Sequence, residues 1–200
     1  MITRHFVIIT AILFALTIAM SVYVSELRHR ERVAPRAHTA TRVEHAAPPS
    51  IGQTEQVTLF VAYDDPGILR TESISLPLAT ERQQRAEGVL RALIARYTTK
   101  NSPHPLAAES DIRDVFLADP GIAVIDLNSA LVDSQVSGVL SEELTIVSMI
   151  ETLETNVPDV TRVKFLVDGK ERDTLAGHVN LSEFYEMPEV LELAKELSAQ

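Results

Sequence analysis

Hydrophobic and polar positions divide the chain into two unlike parts. Phe6–Val24 runs 19 residues without a charge, and 16 of them are apolar. As a helix rising about 1.5 Å per residue it reaches about 28 Å, close to the thickness of a bilayer's hydrocarbon core. Tyr23 sits at the far boundary, where an amphipathic ring is favoured. The run reads as a single transmembrane helix within an anchor over residues 1–27. A buried core helix and a cleaved signal peptide are the alternatives. Ala19-Met20-Ser21 offers a small-x-small cleavage site, but the apolar run continues past it through Val22-Tyr23-Val24. Residues 28–56 read as a tether, and His38–Gly52 has no apolar periodicity and is stiffened at Pro48-Pro49. The spacing of His29, His38 and His45 matches no metal site.

From residue 57 the pattern changes to short alternating and helical stretches. Val57–Tyr63 alternates with period two and predicts a strand, followed by a turn at Asp64-Asp65-Pro66-Gly67 and a second strand over Ser73–Leu76. Thr80 and Gln83 have capping-box spacing. Ala86, Val89, Leu90, Leu93, Ile94 and Tyr97 then form one apolar stripe at helical spacing. The order recurs: Asp114–Asp119 and Ile122–Leu127 flank Pro120-Gly121 as a hairpin. A helix follows, with Ser141 as its N-cap and with Leu144, Val147, Met149, Ile150 and Leu153 as its stripe; it stops at Asn156 before Pro158. Asp65-Pro66-Gly67-Ile68 and Asp119-Pro120-Gly121-Ile122 are the same tetrapeptide, 54 positions apart. Arg162–Val167 and Lys170–Leu175 around Asp168-Gly169 predict a last hairpin. The expected fold is α+β: a two-layer sandwich over residues 57–185, with a mixed sheet built from three hairpins and two helices packed on it. Pro188 opens an extra C-terminal helix over 186–200, with Val190, Leu191, Ala194 and Leu197 as its stripe.

Composition sharpens the division. The formal net charge is −10, but residues 1–50 carry six basic and three acidic residues, and residues 51–200 carry 12 basic and 25 acidic. The globular part is thus the acidic one, which argues against nucleic acid as a partner. The chain has no Cys and no Trp. That excludes disulfide scaffolds, thiol nucleophiles and Cys-ligated metals, and it supplies a sugar-stacking platform poorly. Four arginines (Arg28, Arg30, Arg32, Arg36) follow the apolar run and only Arg4 precedes it, so the positive-inside rule by itself places the domain in the cytoplasm.

The chain contains no G-x-S-x-G, H-E-x-x-H, P-loop or G-x-G-x-x-G motif. The globular part has two histidines, His104 between two prolines and His178 in a strand-like segment. Both read as structural or solvated. Asp64-Asp65 lies at a turn without the alternating oxygen ligands of a calcium loop. Glu142-Glu143 reads as a solvated first helical turn, where negative charge suits the dipole. No residue is assigned a catalytic, cofactor-binding or metal-binding role, and no cofactor is expected.

The stretch Ser137–Asn180 carries a resemblance. A Ser/Gly-initiated helix ends in Glu151-Thr152-Leu153-Glu154. Pro158, the strand Val163–Val167, the Asp168-Gly169 turn and Gly177-His178-Val179 follow it. Together with Val124–Asn128 and Ala86–Ala95 upstream, these resemble the GerMN domain, the sporulation and spore germination family, over about residues 57–181. One departure is Thr98–Ser110 (TTKNSPHPLAAES), which lacks the Gly-Pro and Ile-Pro steps usual in the family. The resemblance implies a non-catalytic module outside the cytoplasmic membrane on a lipid or transmembrane anchor, against the arginine count. The expected role is protein–protein assembly in the cell envelope, by a protein partner or self-association, through Thr98–Ser110 or the C-terminal helix. A module for peptidoglycan or a small envelope ligand is the alternative, with its pocket under Thr98–Ser110. A hydrolase using His178 or His104 ranks last.

Overall fold

The computed structural model describes residues 53–198. The anchor and most of the tether lie outside the described residues. Among the described residues, no helix is long and apolar enough to cross a membrane.

Strands β1 (Thr54–Tyr63) and β2 (Ile68–Pro77) form an antiparallel ribbon that stands as a sheet of its own. Helix α1 (Arg82–Tyr97) buries Ala86, Val89, Leu90, Leu93, Ile94 and Tyr97, the whole stripe read from the sequence. Its N-cap is Glu81 rather than Thr80, and no side chain caps it. Gln83 turns forward to Glu87 within the helix and Arg82 reaches the Pro158 carbonyl, so the capping box is not formed. β3 (Ile112–Ala118) and β4 (Ile122–Leu127) form the expected hairpin, with Ala118 opposite Ile122. The repeated tetrapeptide turns alike in both places: Gly67 and Gly121 have φ of +88° and +69°, and both Asp–Pro bonds are cis.

The sheet departs from the expected one. Helix α2 (Ser129–Ser134), capped by the Asn128 side chain on the Leu131 amide, leads into α3 (Val139–Asn156). β5 (Arg162–Val167) then pairs parallel with β4, from Ile122 opposite Arg162 to Leu127 opposite Val167. The predicted third hairpin closes only its turn. Asp168 and Gly169 have positive φ, and Val167 and Lys170 exchange backbone bonds, but no ladder continues beyond them. The buried face of β5 needs apolar neighbours, and β4 (IAVIDL) supplies them where Lys170-Glu171-Arg172-Asp173 does not. On its other side β5 meets the two-residue β6 (Tyr185–Glu186), so the sheet order is β3-β4-β5-β6. Helix α4 (Met187–Ser198) packs on α3 and against β2, burying Met187, Val190, Ala194 and Leu197, while Leu191 is left exposed. The described part is therefore α+β with two sheets and four helices, not one mixed sheet from three hairpins.

Helix α3 is the centre of the packing. It begins at Val139 with Gly138 at the N-cap, ahead of the predicted Ser141, and every residue from Leu144 to Leu153 is buried. Its polar residues complete β1. In an antiparallel pair, alternate residues point their N–H groups away from the partner strand. Along the second half of β1 these are Thr58, Phe60 and Ala62, with Asp64 just beyond. The Thr58 amide donates to Asn156 Oδ1 at 3.0 Å and the Phe60 amide to Thr152 Oγ1 at 2.9 Å. Those of Ala62 and Asp64 donate to Tyr97 Oη at 2.9 Å and the Pro103 carbonyl at 3.0 Å. Burying the first edge of the ribbon thus leaves none of these donors unpaired.

Gly121 provides a test of the turn between β3 and β4. A Cβ there would lie 2.4 Å from Thr161 Oγ1 and 2.8 Å from the Asp159 carbonyl oxygen, at a positive φ. Gly121→Ala is expected to cost about 2–3 kcal/mol. Gly169→Ala, at a similar φ but with nothing within 4 Å, should cost about 1 kcal/mol. Urea unfolding of the two variants measures the difference.

Candidate functional site

The structure gives His104 and His178 very different settings. His104 is 2% exposed, on the loop between α1 and β3. Its Nδ1 lies 2.6 Å from Asp64 Oδ1 and its Nε2 2.6 Å from Thr145 Oγ1. The Thr145 hydroxyl is also 2.7 Å from Gln135 Oε1 and 3.0 Å from the Ser141 carbonyl. The Tyr97 ring meets the imidazole edge-on at 4.8 Å. An ionised carboxylate only accepts, so the Nδ1 proton points to Asp64. Asp64–His104–Thr145 has the composition of a nucleophile, base and orienting acid. Thr145 is nonetheless wholly buried on α3, and its hydroxyl faces protein acceptors instead of a cleft. The group is a clasp: it ties the end of β1, the Thr98–Ser110 loop and α3 to one another. Tyr97 shares the pocket, and burial holds its hydroxyl well above the usual tyrosine range.

His178 belongs to a second clasp, built around Glu142. Sequence reading placed this carboxylate on a solvated first turn; the structure buries it completely. Its Oε2 accepts from the amides of Ala176 (3.0 Å), His178 (3.1 Å) and Val179 (2.9 Å). Its Oε1 accepts from Gly138 N at 3.2 Å and faces His178 Nδ1 at 2.9 Å. Burial alone would raise the pKa, but these donors outweigh it and draw the carboxyl down to about 2. Ser137 Oγ lies 3.4 Å from the same Nδ1, which is already turned toward Glu142. A Ser–His relay centred on His178 is therefore not assembled.

The remaining candidates are also committed to the fold. Asp64 of the Asp64-Asp65 turn is the acceptor for His104. Among the described residues, no group of three or more His, Asp or Glu could hold a metal ion. Glu143 lines a cavity of about 320 Å³ with Glu183, Glu189, Phe184 and Tyr185, and burial followed by Glu196 raises its pKa. Glu151 on α3 is buried with one carboxyl oxygen unpartnered, and burial followed by Glu154 raises its pKa as well. The Thr98–Ser110 loop is pinned by buried His104 and Leu106. These two side chains occupy the underside where a ligand pocket was expected.

What sequence reading missed was the central polar set: Asp64, His104, Gln135, Thr145, Thr152 and Asn156. A signal for part of it was present. Ser141, Thr145, Ser148, Thr152 and Asn156 recur at helical spacing and mark a second, polar face on α3.

A family model for sporulation and spore germination, named Germane, matches residues 58–173. No curated protein matches the chain. Among solved structures, the tandem GerMN domains of the sporulation protein GerM from Bacillus subtilis superpose with a TM-score of 0.53 at 17% identity. That match covers 68% of this chain and 47% of the tandem one. A candidate lipoprotein of Clostridium perfringens gives 0.46 at 21% identity, covering 72% of this chain and 93% of its own. The first GerMN domain of GerM taken alone gives 0.46 at 15%, covering 68% and 99%. The family match spans more than half of the chain and the tandem-domain structure shares its fold, so this chain belongs to the sporulation and spore germination family and carries a GerMN-type domain.

Proposed function

We propose that the chain is a membrane-anchored, non-catalytic GerMN-type module that mediates protein–protein assembly in the bacterial cell envelope. One observation carries the non-catalytic part. Both histidine clusters that could serve chemistry have their partners turned inward: Thr145 and Glu142 are each fully buried. Their hydrogen bonds are spent on holding loops and helix ends. The uncharged run Phe6–Val24 supports the anchor. Membership of the sporulation and spore germination family supports a domain displayed outside the cytoplasm, against the arginine count. Fixing such a domain on a tether raises the local concentration of any contact it makes at the bilayer.

Two measurements test this reading. The chain has no cysteine, so Lys195→Cys on exposed α4 supplies a single thiol. A membrane-impermeant maleimide should label it in intact cells. Labelling only after permeabilisation overturns the placement. Amine-reactive crosslinking in membranes should give discrete oligomers or one co-purifying protein. A strict monomer without a partner overturns the assembly role.

A further inference from the structure

The ribbon treats its two edges differently. The outward amides of β1 from Thr58 to Ala62 have acceptors, as described above. Thr58 pairs with Ser73 and Phe60 with Thr71, so the backbone groups of Thr71 and Ser73, and by the same alternation Ser75, point away from β1 on the far side. Among the described residues these amides have no hydrogen-bond acceptor, and all three residues are exposed. Natural sheets protect such an edge with lysine, proline, a bulge or a covering element. β2 carries no lysine, its one proline is the terminal Pro77, and the ladder to β1 runs without a register shift.

Beside this edge is a groove of about 210 Å³ between the end of β2 and α1. Leu76, Val89 and Gly88 line it together with Glu55, which is paired with Arg85 of the same groove. Gly88 lies inside α1, where glycine is unfavourable, yet a Cβ there would meet nothing within 4 Å. No contact within the described chain requires a glycine at this point.

We infer that β2 pairs antiparallel with β2 of a second copy, about a two-fold axis beside Ser73, joining two ribbons into one four-stranded sheet. This rests on the assembly reading above and names its surface and partner. The register follows from the exposed run. Thr71 falls opposite Ser75 of the second copy and Ser73 opposite its counterpart, each pair exchanging two backbone bonds. On the other face Glu72 falls opposite Ile74 and Leu76 opposite Arg70, so no like charges lie directly opposite each other. Glu55 is the partner of Leu76 on β1. Arg70 of the second copy then lies two strands from Glu55, about 10 Å between backbones, and reaches across Leu76 into the groove. In the single chain Arg70 sits over the Tyr63 ring, an exposed position it can leave. The edge also suits a second copy by charge. Residues 66–79 hold one Arg and one Glu, whereas residues 51–200 as a whole repel a like chain with 25 acidic against 12 basic residues.

Disulfide trapping of the full chain in membranes tests the register, because the native chain has no cysteine. Paired residues in such a ladder lie about 5.5 Å apart at Cα, within disulfide range. Ser73→Cys should give a covalent dimer on mild oxidation. Thr71→Cys alone should not, since its two copies stand about 13 Å apart, but chains with Thr71→Cys should link to chains with Ser75→Cys. In the Ser73→Cys background, Gly88→Leu, which fills the groove, and Arg70→Glu, which faces Glu55, should each lower the dimer yield at least tenfold. Circular dichroism checks that both variants remain folded. A monomeric Ser73→Cys chain, or equal linking by Thr71→Cys alone, overturns the pairing; full yield with Gly88→Leu overturns its use of the groove. If amine crosslinking still gives oligomers while Ser73→Cys does not link, the β2 edge is wrong and assembly stands. If neither links and no partner co-purifies, both readings fall.

Discussion

Glu142→Ala is expected to destabilise the domain by about 4 kcal/mol in urea unfolding at pH 7, the largest effect of any single substitution considered. The carboxylate is fully buried and accepts from four backbone amides while facing one imidazole nitrogen. Alanine leaves those donors inside the fold without acceptors, at about 1–3 kcal/mol for each group that finds no water. The pH dependence has a definite sign. The carboxyl is drawn from 4.5 to about 2 in the folded chain. A lowered pKa contributes stability that is fully present above 4.5 and is lost as pH falls toward 2; the size is about 3 kcal/mol. Glu142→Gln keeps one acceptor oxygen but cannot ionise. The stability gap between the native chain and Glu142→Gln should therefore be widest above pH 5 and narrow steadily between pH 4.5 and pH 2. A gap that stays constant over that range would show that the charge itself contributes nothing.

His104→Ala is expected to cost about 3 kcal/mol and to loosen one particular region. The substitution removes a buried ring in contact with Tyr97 and takes from Asp64 its imidazole partner, while Thr145 keeps Gln135 and the Ser141 carbonyl. The Asp64 amide donates to Pro103 and the Leu106 amide to Tyr97, so both report on the loop that His104 pins. Hydrogen exchange at these two amides should accelerate far more than at Ile125 or Phe165 in the four-stranded sheet. Exchange that accelerates uniformly would mean that His104 supports the whole core and is not a local clasp. Thr145→Val is expected to behave as a milder version of the same lesion, as befits a hydroxyl that ties elements together.

Local pattern was enough wherever an element answers to one neighbour. The stripe of α1 was legible because one face packs and the other meets water. The β3–β4 hairpin was legible because Pro120-Gly121 can only turn. Pattern failed where an element is enclosed. Helix α3 was read as amphipathic from its apolar residues, yet both its faces are inside, and its hydroxyl and amide residues complete the edge of β1. A buried polar face and a solvated one have the same spacing. The third hairpin failed for a related reason. Asp168-Gly169 does make the turn, but a turn cannot hold a ladder that lacks apolar residues when β4 offers a better partner across α3. Glu142 was misplaced because four of its five hydrogen-bond donors lie in segments whose approach, from residues 176 to 179 above all, depends on the complete chain path.

The candidate chemistry divides in the same way. The sequence by itself determined what the domain lacks, namely thiols and nucleotide or metalloprotease motifs, because absence of a residue type needs no coordinates. It also determined the turns, the amphipathic helix and the acidic balance, since these follow from steric and periodic rules within a few residues. Only the tertiary structure decided that Asp64, His104 and Thr145 meet and that Glu142 is an internal anchor. It also decided that one edge of the ribbon is filled and the other open. Those outcomes depend on which distant backbone groups remain unpaired after the core has formed, a balance settled between segments about 40 to 100 residues apart.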